Sequence, residues 1–331
     1  MPIERRTLGN SDLEITRVGL GAWAIGGDWM FGWGPQDDRE SVATIRRAID
    51  RGINWIDTAA AYGLGHSETI IARALRDVPQ GEHPYVFTKC TLVWDDRGTV
   101  THGIRPASLR REAEASLGRL EIDCIDLYQM HWPVWPASPA GHDPGRLEDA
   151  WETLAAMKRE GKVRHIGLCN ADADQLARIQ RIEPVTSLQP PYSIVRREIE
   201  ERTLPFCEQH GIGVIVYSPM QSGLLTGAMT RERLAALPEN DWRHKGKYFQ
   251  EPLLSDALRV AARLEEIGAR HGHTAGQVAV AWTLRHPAVT AAIVGARRAE
   301  QVDEIANGAG LRLTTHEIED IDRSARQTQP N

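Results

Sequence analysis

The sequence predicts an α/β fold, a (β/α)8 barrel preceded by a β-hairpin. Two observations carry this. Eight short apolar segments of strand character alternate with segments of helical period, which is the pattern of parallel βα units. The first of them, GLGAWAIGG, has glycines but not the G-x-G-x-x-G spacing that marks an open, doubly wound dinucleotide sheet.

Taken in order, Gly9, Asn10, Ser11 and Asp12 are turn residues between two short alternating runs and predict the hairpin. The strand segments are VGLGAW, NWIDTA, YVFTKC, IDLYQMH, VRHIGLCN, TSLQPP, GVIVYSP and TAAIVGA. Between them, ESVATIRRAIDRG puts Val42, Ile45 and Ile49 on one face and stops at Gly52. SETIIARALRD opens on Ser67, the expected N-cap. PASLRREAEASLGRL, LEDAWETLAAMKREG and ADQLARIQRI repeat the helical period. With no low-complexity linker or composition shift, residues 1–331 read as a single barrel domain. Two long loops, Trp132 to Gly145 and Pro238 to Pro252, are of the length that compact domains reserve for function.

Composition narrows the class. Of 331 residues, 41% are hydrophobic and 25% charged, the balance of a globular chain with a large core. A net charge of −6 argues against a nucleic-acid binder, and no apolar run approaches the ~20 residues of a membrane span. Cys90, Cys124, Cys169 and Cys207 are scattered and form no disulfide framework, and MPIERRTLGNSDLEIT lacks a signal peptide's apolar stretch. A cytoplasmic protein is expected. His66, His102, His165, His271 and His273 show no ligand spacing, so no metal is expected.

In such a barrel, chemistry gathers at the C-terminal ends of the strands. NWID ends in Asp57, with Tyr62 in the following loop; YVFT is followed by Lys89, and IDLYQM by His131. Singly each has a plain structural reading: a cap, packing, a solvated strand end, a satisfied core histidine. Four titratable groups delivered to one rim by three units point instead to proton chemistry.

The blocks DTAAAYGLGHSE, FTKC, DLYQMHWP, GLCNAD, QPPYS, YSPMQSGLLTG and IVGARRAEQVDE resemble, in order and over nearly the whole chain, those of the aldo-keto reductase superfamily. WAIGG, YQMHWP and GARRAEQ are most similar to its bacterial general-stress-protein branch. The resemblance implies NADP-dependent reduction of a small-molecule carbonyl, with Asp57, Tyr62, Lys89 and His131 as the catalytic tetrad. Hydride attack builds charge on oxygen, so a proton donor is needed. A tyrosine of pKa about 10 is a poor one unless a neighbouring ammonium lowers that value. Lys89 is expected in that role, Asp57 holding it charged, Tyr62 as general acid and His131 orienting the carbonyl oxygen.

For the cofactor, NADPH/NADP+, the resemblance implies Asn170 and Gln189 at the carboxamide, with Asp57, Cys169 and Trp23 nearby, and Tyr217 against the ring. Ser218, Pro219, Gly223 and Leu225 follow the pyrophosphate; Gly295, Arg297, Gln301 and Glu304 form the adenosine site. Forked arginine donors, Arg297 and Arg298, at a helix opening near Ala299 favour a 2′-phosphate. Departures from the family pattern are Cys169 for serine, Ala228 for lysine and Ile305 for asparagine; Arg243 or Lys245 would compensate for the lysine. Trp29, Trp94 and Trp132 are expected in an aromatic substrate pocket, with Trp33 and Trp135 on the same rim. Two other readings stand beside this one: a cofactor-sensing barrel with little turnover, and a Schiff-base lyase using Lys89. Oligomeric state is left open.

Overall fold

Alternating residues on either side of the Gly9–Asp12 turn pair as an antiparallel hairpin, Arg5–Thr7 (β1) with Glu14–Thr16 (β2), Arg5 facing Thr16. The remaining strands are Val18–Gly21 (β3), Trp55–Asp57 (β4), Tyr85–Cys90 (β5), Leu92–Trp94 (β6), Val100–His102 (β7), Ile125–Met130 (β8), Val163–Cys169 (β9), Ser187–Gln189 (β10), Gly213–Val216 (β11) and Val289–Gly295 (β12). The eight predicted strand segments become β3, β4, β5, β8, β9, β10, β11 and β12. They pair in parallel in that order, and the sheet closes where Ala292 faces Val18. This is the predicted barrel. The structure is a computed structural model that describes residues 2–136, 138, 142–239 and 241–326. Residue 1, residues 327–331 and parts of both predicted long loops lie outside the described residues.

Helices Asp38–Asp50, His66–Leu75, Pro106–Leu120, Leu147–Arg159, Ala173–Ile179, Thr203–Gln209 and Ala275–Leu284 surround the sheet, with Leu253–His271, Ala299–Gly308 and Thr315–Arg326 added late in the chain. Asp37 caps the first by accepting the Glu40 amide at 2.9 Å. Ser67 is not the cap expected of it. Helix His66–Leu75 has its cap two residues earlier, at Gly65, and Ser67 is buried inside its first turn. There its hydroxyl bonds Thr58 Oγ1 (2.9 Å) and donates to the Ala22 carbonyl (3.1 Å), tying the helix to the sheet. The antiparallel pair β6–β7 was not predicted; Asp95 turns it by accepting the Arg97 and Thr99 amides.

Period-two alternation sorts every barrel strand into an outer and an inner row. Outward residues such as Ile56, Val86, Tyr128, Leu168, Leu188, Val214 and Ala292 belong to the large core shared with the helices. Inward residues form two levels. The lower one is apolar: Trp55, Phe87, Leu127, Ile215 and Ala291 pack with Leu8, Leu13 and Ile15 of the hairpin region, which stoppers that end. Trp55 and Phe87 meet at 5.2 Å between ring centroids. Two residues further along β4, β5, β8 and β11 the inward positions are Asp57, Lys89, Gln129 and Tyr217, joined at that level by Cys169 and Gln189 at the ends of β9 and β10.

The lower level leaves no spare volume. A Cβ on Gly19 would sit 2.2 Å from the Trp55 indole, which is itself fully buried. Gly19→Ala therefore overpacks the lumen and should cost about 1–3 kcal/mol of unfolding free energy in urea. An unchanged midpoint would show that Trp55 has room to move.

Candidate active site

Strands β4 and β5 bring Asp57 and Lys89 together at the upper level, both almost wholly buried. The Lys89 ammonium spends its three donors on Asp57 Oδ2 (2.6 Å), the Thr58 carbonyl (2.8 Å) and the Tyr62 hydroxyl (3.4 Å). Asp57 Oδ1 accepts from the side-chain amides of Gln189 (2.7 Å) and Gln129 (3.4 Å). Tyr62 is held over the ammonium by a turn in which Gly63, at φ +61°, abuts Gly26. A Cβ on Gly63 would fall 2.0 Å from the Gly26 carbonyl oxygen. His131 extends β8 by donating its amide to Cys90 O (3.1 Å), and its ring stands nearly perpendicular to Tyr62 at 5.8 Å. All four rim residues read from the sequence thus converge.

The electrostatics follow from burial and from that ion pair. Burial alone would strip the proton from Lys89, but Asp57, with Tyr62, Cys169 and the hydrogen bond to Asp57, outweighs it and holds the amine well above the ordinary lysine value. For Tyr62 the expected lowering does not appear. Burial pushes the phenol up to about 12, and the pull of Lys89 only offsets part of this. Burial, reinforced by Lys89, drives His131 far below the usual histidine value, so its imidazole is neutral.

These groups form the inner end of a cleft of about 1010 Å³ at the C-terminal ends of the strands. Trp23, Cys169, Asn170, Gln189, Tyr217, Ser218, Pro219, Gly223, Arg243, Gly295, Arg297, Gln301 and Glu304 line it, as do Trp29 and Trp132. Four expected residues do not: Arg298, exposed at the cap of helix Ala299–Gly308, Lys245, also exposed, Leu225 and Trp94. Leu225 is fully buried behind the wall, and Trp94 sits on the β6–β7 hairpin under the Arg119 guanidinium (5.6 Å). Asn170, at φ +58°, donates to the His131 carbonyl (3.0 Å) and accepts the Tyr217 hydroxyl (2.8 Å). The Gln189 side-chain oxygen meets only the Cys169 thiol, at 3.6 Å, and retains acceptor capacity toward the cleft.

An aromatic roof crosses the cleft: Trp23 lies 5.5 Å from Trp33 and 5.9 Å from Trp242, with Trp33 and Trp242 at 6.1 Å. Arg243 stacks on Trp33 (4.7 Å) and pairs with Asp241 (2.6 Å). Arg297 turns its guanidinium onto the roof, donating to Gln36 Oε1 (2.7 Å), Trp33 O (3.2 Å) and Pro35 O (2.5 Å). Helix Ala299–Gly308 does open beside it. Arg233, on the same cleft, donates to the Ala228 carbonyl (2.9 Å).

Sequence reading missed Gln129, Trp242 and Arg233. Gln129 was accessible, since it lies midway between Leu127 and His131 on the inward row of β8. Trp242 and Arg233 sit in the long segment after β11, where no period fixes direction. Among the described residues no cluster of three or more His, Cys, Asp or Glu could hold a metal ion, and no helix is long and apolar enough to cross a membrane.

Residues 17–326 match the family model of the Aldo/keto reductase family, and the chain belongs to that family. It is a family of oxidoreductases that act on small carbonyl substrates with nicotinamide cofactors. The chain is 34% identical to Aldo-keto reductase YhdN of Bacillus subtilis over 98% of its own length and 95% of the relative's. It is 36% identical to the NADH-specific methylglyoxal reductase of Escherichia coli, over 92% and 93%. Among solved structures, the glycerol dehydrogenase of Gluconobacter oxydans superposes with a TM-score of 0.88 at 36% identity, covering 100% of this chain and 98% of that one.

Lys89→Met would leave Asp57 buried without its counter-ion and should cost about 3–5 kcal/mol in urea unfolding. Because the Lys89 value is raised on folding, its stabilisation is complete below the ordinary 10.5 and is lost only as pH climbs above it. A wild-type midpoint that fell between pH 7 and 9 in step with Lys89 deprotonation would contradict the pairing.

Proposed function

We propose that the protein reduces the carbonyl of small aldehydes or ketones with hydride from NADPH, Tyr62 serving as general acid. The observation that carries this reading is the Tyr62 hydroxyl, suspended between the Lys89–Asp57 pair and the neutral His131 at the closed end of a dinucleotide-sized cleft. The cofactor, when bound, supplies the hydride. Asn170 and Gln189 would hold its carboxamide, Tyr217 its ring, and the 218–223 turn its phosphates.

At neutral pH, Tyr62 keeps its proton and Lys89 its charge. As the carbonyl oxygen gains negative charge, Tyr62 and the neutral His131 both stand as donors toward it. An alkoxide is far more basic than a phenolate, so proton transfer from Tyr62 runs downhill even with its value near 12. The resulting phenolate is stabilised where it forms, by the ammonium 3.4 Å away. Trp29, Trp132 and Trp135 give the pocket apolar walls, which exclude water.

NADPH is favoured by Arg233, Arg243 and Arg297 on the cleft; among the described residues Asp57 and Glu304 are the carboxylates lining it, and Asp241 pairs with Arg243 behind it. The Arg297 contacts to Trp33 and Pro35 are neutral carbonyl bonds, which a phosphate dianion outcompetes. The NADH-specific relative keeps the opposite preference open to test. A Schiff-base role for Lys89 would need a neutral amine, and Asp57 at 2.6 Å opposes one. We infer further that residues 1–331 act as one domain in the cytoplasm, where the four free cysteines remain reduced.

Titration of the tryptophan fluorescence with NADPH and NADH should give saturable quenching that is tighter for NADPH; equal or reversed affinity would remove the 2′-phosphate role of Arg297. Tyr62→Phe should lower kcat for aldehyde reduction by about 10²–10⁴ with NADPH affinity preserved. The pH profile has a definite sign. Reduction, which needs the protonated phenol, should be flat from pH 6 to 9 as far as Tyr62 is concerned. Alcohol oxidation, which needs the phenolate, should rise with pH toward about 12. An oxidation optimum below pH 7 would exclude Tyr62 as the base.

A further inference from the structure

A second cavity, of about 390 Å³, lies against the catalytic cleft and shares with it Trp23, Tyr217, Ser218, Ser222 and Trp242. Its own walls come from the segment after β10 (Arg196, Glu198), from Gln221, and from residues 246–249. Among the described residues, several donors there lack protein acceptors, Arg196, Gln221 and Trp242 among them. The Arg196 guanidinium, half-buried, makes no ion pair or hydrogen bond. Gln221 is 7% exposed; its side-chain oxygen accepts from Ser193 (2.9 Å), and its amide nitrogen has no partner. The indole N–H of Trp242, on the partition between the two cavities, is buried and unpaired.

Buried donors in folded proteins are nearly always matched, and exceptions mark ligands or stored strain. The Trp242 indole N–H is one such exception, and strained backbone lies beside it. Ser218, Gln221 and Ser222 all have φ near +50°, an expensive conformation for residues with a side chain. The other charged side chains facing the cavity are Lys247, exposed and set over the Tyr248 ring, and Glu198, exposed and accepting the Tyr248 hydroxyl at 3.5 Å. Two cations against one carboxylate leave the cavity positive. The Arg196 charge also reaches the wall shared with the cleft: burial and then Cys169 push the Tyr217 phenol up, and Arg196 pulls it down.

We propose that this cavity is a subsite for an anionic group, a carboxylate or phosphate, carried on the far end of the carbonyl substrate. Arg196 supplies the charge, and Gln221 supplies a neutral donor. The inference rests on the reductase reading given above, and it narrows the substrate class to carbonyl compounds with an acidic tail. The two compartments have Trp23, Tyr217, Ser218, Ser222 and Trp242 in common, and the test below separates a substrate that reaches both from an anion bound independently.

The test compares two aldehydes of similar length, butanal and succinic semialdehyde, on the wild-type protein and on Arg196→Met and Arg196→Lys. Alongside it, equilibrium binding of succinate and of NADPH is followed through tryptophan fluorescence. Succinic semialdehyde should have the lower wild-type KM. Arg196→Met should raise that KM, and the succinate Kd, by about tenfold or more, Arg196→Lys restoring part of it, with the butanal KM and the NADPH Kd little changed. Equal effects on both aldehydes, or no effect on either, overturn the subsite. A rise confined to the NADPH Kd assigns the anion to the cofactor's diphosphate and overturns it too. Tight succinate binding that leaves the KM for succinic semialdehyde unaffected by Arg196 shows a free-anion site unconnected to substrate. Absence of turnover with both aldehydes counts against the reductase reading, while the succinate titration still reports on the subsite.

Discussion

Two opposite charges buried at 2.6 Å, Lys89 and Asp57, set the terms for everything above the barrel's apolar floor. Taking either ion out of water alone costs several kcal/mol, so the pair persists only because its remaining hydrogen-bonding capacity is filled. Thr58 and Tyr62 complete the ammonium; Gln189 and Gln129 complete the carboxylate. Each of these partners also faces outward to the cleft or supports something that does. The requirement to satisfy a buried charge thus fixes the orientation of the residues that would meet cofactor and substrate.

The same strands show how a stable core and a reactive site coexist. On β4, β5 and β8 the inward sequence runs Trp55 then Asp57, Phe87 then Lys89, Leu127 then Gln129. The apolar member fills the lumen against the hairpin, and the polar member stands on top of it. Burial is what pushes Tyr62 upward and His131 downward in proton affinity. Exclusion of water is therefore an electrostatic component of the site.

The barrel and the convergence of Asp57, Tyr62, Lys89 and His131 on its rim were legible in the sequence because strands and their ends are written in short-range periodicity, whereas the roles proposed for the four came from the family resemblance. Eight apolar segments at regular spacing define the strands, and position at a strand's end defines the rim; Lys89 and His131 needed nothing more. Ser67 was misplaced because a serine before an apolar run reads as a cap, whereas tertiary contacts to Ala22 and Thr58 drew it into the helix. The β6–β7 hairpin was too short to register. The roof was illegible for a different reason. Trp33 meets Trp242 and Arg297 from more than 200 residues away through contacts that no local pattern encodes. The sign of the Tyr62 shift was likewise out of reach, since a neighbour's charge can be named from sequence but the depth of burial cannot.

The two-level lumen also constrains how such a chain can change over generations. Inserting or deleting one residue within β4 would turn Ile56 into the barrel and Asp57 out among the helices, exchanging floor and chemistry in a single step. Strand length is thus quantised in pairs, and the two inward levels are insulated from gradual variation. The loops carry no such parity. Residues 22–37 and 218–252 can lengthen, shorten or trade aromatic residues one at a time, and novelty in what the barrel accepts is free to accumulate there.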